Sequence, residues 1–540
     1  MLDKGVIPLK PKYLIILFVA VMALGSAAYV KSRMLPEVTL KMEPKGLVSL
    51  KCNDAEFLSS GEFHVNQALL RKPSGETYAG DTNGVVKVDV AARQLTATYP
   101  WGIVQVRYTS EQNRLTLNIE TKNTSPTDTI QGVWYAPLTL RFPEKIKEYD
   151  GSIPLMEHSV GDPGILRVSY DSGVMVVATE DVGKPLQFGF PWSENRPANT
   201  VFPLTVNTDR VKTLPDSYPS IERPIPPAGS DQYQISLRFG RPGNTVMDLA
   251  ADVYQKYAKQ FPSKLNWPDR RPIGAVFLSS AATNWTKNPR GWLMDSQLDV
   301  TTPQGRAELR DHILKLADQT ITILRDMNAQ GVITWDIEGQ EHAHAVSYIG
   351  DPRLATTLAP EISGIADDYF KKFRDAGFRV GVCVRPQHVT FSTGKAPTQQ
   401  AVEDPGEELI AKIRFAREHW GATIIYIDSN VNAHDPNPLD AQIMKKIAAA
   451  FPDVLLVPEH STLGYYAYTA PYRELRQGYA STDAAVLAVY PNAFTMIYTA
   501  DGPLDDRRKT LTAAVKRGDG LIYRTWYPDP QNEKVRALYH

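Results

Sequence analysis

The sequence predicts an α/β protein in which an amino-terminal all-β sandwich is followed by a carboxyl-terminal (β/α)8-type barrel. From about residue 36 to residue 240, short runs of alternating polarity are separated by Gly, Pro, Asn and Asp, which is typical of a sandwich. Beyond Pro272, apolar strands alternate with helices, as they do in parallel sheets. A chain of 540 residues is long enough for two such cores. We therefore place domains at 36–262 and 263–540, after a leading segment, 1–35.

The leading segment predicts export. Residues 13–30 form an uncharged apolar run of 18 residues that follows several lysines and ends at Lys31. This pattern fits either a signal peptide or an uncleaved anchor helix. In both cases the basic flank should stay in the cytoplasm and the rest should reach the periplasm or the cell surface. An uncleaved segment would be a single transmembrane helix and the protein's contact with the membrane.

The sandwich strands are expected where short runs alternate in polarity. They cover residues 86–90, 94–99, 103–108, 115–121, 138–142, 165–170 and 173–178. A proline-rich stretch, 214–227, predicts an extended surface connection before a returning strand at 232–239. Residues 245–261 show helical spacing of apolar side chains, with Asn244 as the expected cap, and should lead into the barrel.

The barrel is expected to begin with a strand at 273–279. Helices at 306–329, 362–376, 407–420 and 440–451 then precede four further strands, at 332–338, 379–385, 422–428 and 454–459. Residues 484–489 and 495–499 are either two strands or a single barrel strand formed by the second run alone. Residues 520–527 supply the last strand.

The composition narrows the possible partners. Formal net charge is −1, with 59 basic and 60 acidic residues, which argues against nucleic acid or another polyanion. Neutral substrates fit better. The only two cysteines, Cys52 and Cys383, exclude a disulfide framework, and the mid-strand position of Cys383 favours a buried, inert thiol.

Strands two to five of the expected barrel each end on charged residues. Alternation along a strand groups Asp336 with Glu338, and it places Arg385, Asp428 and Glu459 on the same faces as the apolar residues two positions earlier. In a closed parallel barrel, inward faces would gather these charges at the carboxyl-terminal rim, where barrel active sites lie. The pattern predicts a hydrolase built around carboxylates.

Cleavage of a glycosidic bond needs an acid and a second carboxylate. Their separation is about 5 to 5.5 Å for retention and about 6.5 to 9.5 Å for inversion. Neighbouring strands lie roughly 4.8 Å apart, so Asp428 and Glu459 fit either range, and the stereochemistry stays open. Each acid taken singly is equally well explained as a cap of the loop that follows its strand.

A sandwich followed by a barrel whose fourth strand ends Ile-Ile-Tyr-Ile-Asp-Ser-Asn (424–430) resembles the α-galactosidase and α-glucosidase superfamily of retaining glycosidases. The resemblance implies that Asp428 is the nucleophile and that Asp501 is the acid/base if it follows the sixth strand. If Asp501 follows the seventh, the arrangement resembles that of α-amylases, with Glu459 as acid/base and Asp501 as a stabilising acid. The Trp-x-Asp-Met-Asn-Glu and Gly-x-Arg-x-Asp motifs of these enzymes are absent, and Tyr426 occupies the arginine position of the latter.

Further polar and aromatic residues are expected to position the substrate. Asp336 and Glu338 should hold their carboxylates roughly 7 Å apart and raise one another's pKa. Charged and imidazole side chains at the ends of strands three and five and in the loops after them are also expected to contact the substrate. Tryptophans could stack on sugar faces. The expected substrate-binding residues are Asp336, Glu338, Arg385, His388, His460, Trp285, Trp292 and Trp526.

Two other functions remain open. His342 and His344 could ligate a metal together with the barrel acids, as in amidohydrolases or deacetylases. A catalytically silent carbohydrate-binding surface protein would use the same groove. The sequence favours a glycoside hydrolase acting on extracytoplasmic oligo- or polysaccharide, a chemistry that requires neither cofactor nor metal.

Overall fold

The computed structural model describes residues 36–150, 164–182, 184, 186–190, 197–208, 223–279, 285–339, 348–390, 398–432, 435–477, 481–499, 504–525 and 531–540. The predicted export segment, 13–30, lies outside these ranges, as do His342, His344, Asp501 and Trp526. Across the described part of the chain, no helix combines the length and the apolar character needed to span a membrane.

The amino-terminal half is a β-sandwich. Its larger sheet has the spatial order Ile146–Asp150, Ile165–Tyr170, Gly173–Thr179, Ser230–Gly240, Arg114–Asn123, Gly102–Glu111, Gln94–Tyr99 and Val85–Asp89. The facing sheet has the order Gln187–Gly189, Thr200–Asn207, Thr129–Phe142, His64–Arg71 and Thr77–Ala79, with Leu58–Ser60 paired to Thr129–Phe142. A three-stranded sheet consists of Val38–Glu43, Gly46–Cys52 and Ala55–Glu56. Every second residue of Arg114–Asn123 is buried, because one face of this strand covers the core.

A linker helix, Val246–Gln260, joins the sandwich to the barrel. Its cap is Thr245, which forms a capping box with Asp248, rather than the expected Asn244, whose side chain accepts from the Arg241 N–H instead. Tyr254 and Tyr257 of this helix belong to one core cluster with the outer face of the sandwich and the helices of the barrel. The two domains therefore share a continuous apolar core.

The carboxyl-terminal half is a nearly closed barrel of eight parallel strands. In chain order these barrel strands one to eight are Ile273–Val276, Gly331–Thr334, Arg379–Val384, Ala422–Ile427, Leu455–Pro458, Tyr472–Glu474, Met496–Tyr498 and Gly520–Arg524. Strand one pairs with strand eight, and the ladder runs through all eight strands except between strands five and six. A single hydrogen bond, from the Ala470 N–H to the Leu456 carbonyl at 2.9 Å, bridges that seam.

Helices cover the outside of the barrel. They are Pro303–Asp326, Ala355–Leu358, Ile365–Asp375, Pro405–Trp420, Ala441–Ala450, Ala484–Val489, Leu504–Lys516 and Gln531–Ala537. Single 3-10 turns lie at Trp292–Met294, Pro352–Leu354, Pro360–Ile362, Leu463–Ala467 and Leu475–Gln477. Two short hairpins, His388–Thr390 with Thr398–Gln400 and Val431–Asn432 with Asp435–Pro438, project from the loops after strands three and four.

Local sequence explains the helix ends. Pro405–Trp420 begins after Asp404, whose side chain accepts from the Glu407 N–H, and it has proline in its first turn. It ends at Gly421, whose φ of 67° is the left-handed conformation of a C-cap. These signals place its boundaries within two residues of the expected helix.

The predicted sandwich and barrel are confirmed. Near the end of the chain, the expectation that 484–489 and 495–499 form two strands is wrong, and the alternative, with one strand in the second run alone, is correct. Residues 484–489 form a helix, so Met496–Tyr498 is strand seven and Asp501 follows the seventh strand. Strand six, Tyr472–Glu474, has only three residues and follows a 3-10 turn. Neither its length nor its flanks carry a periodic signal, which is why the sequence did not predict it.

Candidate active site at the carboxyl-terminal rim

The register of the barrel decides which strand-end residues face its mouth. Ile333, Gly381, Ile424 and Leu455 are aligned on strands two to five. Interior side chains alternate from there, so that Cys383, Tyr426 and Val457 also lie in the interior cluster. By the same alternation Arg385, Asp428 and Glu459 point towards the mouth, as the sequence predicted for strands three to five.

Asp428 and Arg385 form an ion pair at the ends of strands four and three. Their side chains are 7% and 9% exposed, respectively. The Asp428 N–H donates to the Val384 carbonyl, and the Arg385 N–H donates to the Gly350 carbonyl, both at 2.9 Å. A carboxylate is therefore fixed at the bottom of the mouth with a guanidinium beside it.

Glu459, on strand five, is the neighbour of Asp428. Burial raises the pKa of Glu459 to about 7, and the charge of Asp428 and a hydrogen bond shared with it act in the same direction. The Ser429 N–H donates to Glu459 Oε2 at 2.8 Å and opposes this rise, as does Arg385. Near neutral pH the site therefore contains a protonatable acid in contact with an ion-paired carboxylate.

His460 lies beside this pair. Its Nε2 is 3.5 Å from Glu459 Oε2, and its side chain is 27% exposed. The side chain of Asn430 holds the backbone of His460, accepting from its N–H and donating to its carbonyl, each at 2.8 Å. The structure thus brings together four of the residues predicted from sequence: Arg385, Asp428, Glu459 and His460.

Strand six contributes a carboxylate that the sequence did not reveal. Glu474 shares the face of Tyr472, which lies in the barrel interior. Its side chain is 14% exposed, accepts from the Tyr472 hydroxyl at 2.9 Å and pairs with Arg476. The available sequence signal was an acid two residues after an aromatic residue that faces the barrel interior. Because this strand was not predicted, the signal was missed as well.

Aromatic rings form the floor of the mouth. Each ring has its centroid between 4.9 and 6.5 Å from the next. The set comprises Phe277, Trp335, Tyr348, Tyr426, Tyr472 and Tyr498. Phe277, Tyr348 and Tyr498 are only partly buried. Burial raises the pKa of Tyr348, and the negative charges of Asp336 and Asp428 act in the same direction. These rings, rather than the predicted tryptophans, offer an apolar surface next to the carboxylates.

Strand two presents the opposite face from the one expected. Its interior residues are Ile333 and Trp335, so Asp336 lies on the opposite side of the chain from the barrel interior, and Glu338 lies in the turn that follows strand two. Asp336 is fully buried and accepts from the N–H groups of Leu278 and Ser279 and from the Ser279 hydroxyl, at 2.6 to 2.8 Å. It therefore fixes the loop after strand one and does not line the mouth.

Glu338 is also fully buried, and neither of its carboxyl oxygens has a hydrogen-bond partner. Burial raises its pKa to about 8 against the opposing effect of its own backbone N–H. The nearby carboxylates of Asp351 and Asp336 add to the rise, whereas Lys412 opposes it. Glu338 is thus a neutral acid in the protein interior at pH 7. With no exposed surface, it is not placed to contact a sugar.

His388 lies in the hairpin beyond strand three, with its side chain 52% exposed and its Nδ1 3.3 Å from Glu408. Asp351, His388 and Glu408 form the one cluster with metal-ligand geometry found in the described part of the chain. Both acids of this cluster already pair with Arg353, and the Lys412 ammonium lies 3.4 Å from Glu408 and 3.7 Å from Asp351. Two cations thus neutralise the cluster, which does not fit a divalent metal.

The tryptophans predicted to stack on sugars occupy different environments. Trp292 has no exposed surface, packs in the core and donates from Nε1 to Glu361 at 2.8 Å, so it is not a stacking surface. Trp285 is half-buried in the loop after strand one. Trp526 lies outside the described residues, as do Asp501, His342 and His344.

No family model matches this sequence, and no curated protein matches it. Among solved structures, α-N-acetylgalactosaminidase NagBb from Bifidobacterium bifidum, in its GalNAc complex, is 10% identical with a TM-score of 0.52, over 94% of this chain and 92% of that chain. An α-galactosidase from Lactobacillus brevis is 11% identical with a TM-score of 0.45, over 87% and 72%. The galactosidase domain of the α-galactosidase-sucrose kinase AgaSK is 12% identical with a TM-score of 0.42, over 93% and 73%. The likeness to NagBb, which has the highest TM-score of the three, shows that this chain has a glycoside hydrolase fold, a sandwich followed by a barrel.

Proposed function

We propose that the protein is a glycoside hydrolase that cleaves oligo- or polysaccharide outside the cytoplasm through Asp428 and Glu459. The observation that carries this proposal is the contact of these two carboxyls at the rim of neighbouring strands, with Arg385 paired to the first. Glycosidic cleavage requires one carboxyl that gives a proton and a second that acts as nucleophile or base, and for retention the two must separate from this contact to about 5 Å around a bound sugar.

The electrostatics assign a role to each acid. Asp428, ion-paired and almost buried, attacks the anomeric carbon, while Glu459 gives its proton to the leaving oxygen. Formation of the glycosyl ester removes the charge of Asp428. Because that charge helps to raise the pKa of Glu459, the pKa then falls, and Glu459 can accept a proton from the attacking water.

The strand count supports Glu459 as the acid/base. Asp501 follows strand seven, which matches the α-amylase-like arrangement in which the strand-five acid donates the proton and the strand-seven acid stabilises the transition state. Glu474 occupies the strand-six position, but its oxygens are engaged by Tyr472 and Arg476. We therefore assign the proton transfer to Glu459 and not to Glu474.

The substrate class follows from the fold and from the charges. The mouth contains more carboxylates than cations among the residues described above, which favours neutral sugars over uronic acids. NagBb is described in complex with GalNAc, so α-linked N-acetylgalactosamine and galactose are the first substrates to test. Residues 13–30 would deliver the enzyme to the periplasm or cell surface and anchor it there if they are not cleaved.

The test compares the wild type with Asp428→Asn on a panel of aryl α- and β-glycosides in the presence of a strong chelator. We expect the wild type to hydrolyse at least one glycoside and the variant to be slower by roughly 10³-fold or more, with sugar binding retained. Asp453→Asn is the matched control, because Asp453 is 55% exposed and pairs with Arg417 just before strand five. An Asp428→Asn rate equal to wild type contradicts the nucleophile, loss of activity with chelator indicates a metalloenzyme, and binding without turnover indicates a silent binding protein.

A further inference from the structure

A buried lysine holds the loop beyond strand three. Lys412, on the helix Pro405–Trp420, has no exposed surface and donates to the carbonyls of Arg385 and Gln387 at 2.8 and 2.9 Å. Its charge is balanced by Asp351 and Glu408. The backbone at Arg385 and, two residues later, at Gln387 is thereby bonded to a helix of the barrel's outer layer.

Gln387 bonds the loop after strand three to the segment that follows strand four. It is 3% exposed, and its Nε2 donates to the carbonyls of Ser429 and Val431, both at 2.9 Å. Its Oε1 is buried and has no hydrogen-bond partner. The side chain is thus kept in a buried position for its two donors, although its own carbonyl stays unmatched.

Ser429 is hydrogen-bonded in turn to Glu459, at the end of strand five. It immediately follows Asp428 and has a φ of 47°, the left-handed region that a non-glycine residue adopts only under strain. In this conformation its carbonyl accepts from Gln387 while its N–H donates to Glu459 Oε2 at 2.8 Å. One peptide segment is therefore held from both sides, next to the proposed nucleophile.

We propose that Lys412 and Gln387 are positioning residues that set the placement of Asp428 relative to Glu459, through the backbone of Arg385 and Ser429. This proposal rests on the proposed function, since it concerns the same site. Neither residue is placed to touch a substrate, because both are buried behind the rim. They hold the backbone segment that contains Asp428, the proposed nucleophile. In the same segment, the Ser429 N–H donates to Glu459, the proposed acid.

Gln387→Met tests the proposal, because methionine keeps the side-chain length and removes both donors. We expect kcat to fall by about 10- to 100-fold with KM changed by less than about 3-fold, since displacements of the order of 1 Å cost this much in rate. We also expect the basic limb of the pH profile to move upwards. The Ser429 N–H lowers the pKa of Glu459, so a weaker bond raises it. The substitution leaves unchanged the titratable and charged groups that face Glu459, namely Asp428, Arg385, His460, Tyr472, Tyr426 and Cys383.

The control is Gln400→Met, an exposed position in the hairpin that begins directly after Gln387, and it should match wild type in kcat and in pH profile. Unchanged kcat and pH profile in Gln387→Met contradict the proposal. So does a parallel change of kcat, KM and melting temperature with an unmoved pH profile, because that is the signature of a structural role. If Gln387→Met does not fold, Gln387→Asn, which withdraws the amide by one methylene, has the same expected outcomes.

A measurement without substrate separates this proposal from the proposed function. Infrared titration of the carboxyl groups, with Glu459→Gln identifying the Glu459 signal, should show a higher pKa of Glu459 in Gln387→Met than in wild type. An unmoved titration overturns the positioning role whether or not a glycoside is hydrolysed. A moved titration in a protein that cleaves no glycoside supports the positioning role and rejects the proposed function.

Discussion

Glu338→Gln should make the protein more tolerant of alkaline pH. Glu338 is fully buried without a hydrogen-bond partner, and its pKa is raised from 4.5 to about 8. Its neutral form is therefore the stable one in the folded protein, whereas the unfolded chain ionises it above about pH 4.5. The stability that depends on this group is fully present below pH 4.5 and is lost as the pH rises through about 8. Glutamine has nearly the same shape and no charge, so it removes this loss.

The magnitude follows from the two pKa values. Linkage gives a penalty of about 2 kcal/mol for wild type at pH 6 and about 5 kcal/mol at pH 9, because the folded protein keeps on Glu338 a proton that the unfolded chain has released, until the pH passes about 8. Relative to Glu338→Gln, wild type should thus lose about 3 kcal/mol of unfolding free energy between these two pH values. Titrating groups that do not interact with Glu338 contribute equally to both proteins and cancel.

The assay is urea unfolding at pH 6 and pH 9, monitored by tryptophan fluorescence. Glu418→Gln, on the exposed side of the helix Pro405–Trp420, is the matched control and should give the same pH dependence as wild type. Glycosidase activity at pH 6 should survive Glu338→Gln, because the side chain is placed away from the mouth. Parallel stability curves for wild type and variant would falsify the assignment of a neutral buried acid.

Two further substitutions test residues that the structure places away from sugar. Asp336→Ala should lower the unfolding free energy by about 3 kcal/mol or more, because two buried N–H groups, including that of Ser279, lose their acceptor. A small change in stability together with a raised KM would instead show that Asp336 binds the substrate. Trp292→Phe should cost about 1–2 kcal/mol through the lost bond to Glu361 and leave KM unchanged, as measured by thermal unfolding and by kinetics. An increase in KM without loss of stability would instead show that Trp292 stacks on the substrate.

The sequence was sufficient for the architecture because its signals are local. Alternation with a period of two and helical periodicity identified the sandwich, the linker helix and the first five barrel strands. Caps such as Asp404 and Gly421 act within one turn of the helix, so they can be recognised without knowledge of the rest of the fold. Strand six has three residues and no local signal, and it was missed.

The candidate site was predictable only in part, since alternation gives the grouping of residues but not the face that turns inward. On strands three to five the charged group faces the mouth, as predicted for Arg385, Asp428 and Glu459. On strand two the register aligns Ile333 with Gly381, which turns Trp335 inward and Asp336 outward. A shift of one residue in a strand's register exchanges its two faces, and no local pattern on strand two decides between them.

The sequence by itself determined that acids would end neighbouring parallel strands, because strand boundaries and residue types are properties of short segments. Only the tertiary structure decided which of those acids share a hydrogen bond, which are sealed in the core and which pKa values rise. Burial and charge-to-charge distance depend on residues that are far apart in the chain. Asp428 and Glu459 are paired through the barrel's register, and the backbone between them is held by Lys412 and Gln387 from another part of the fold.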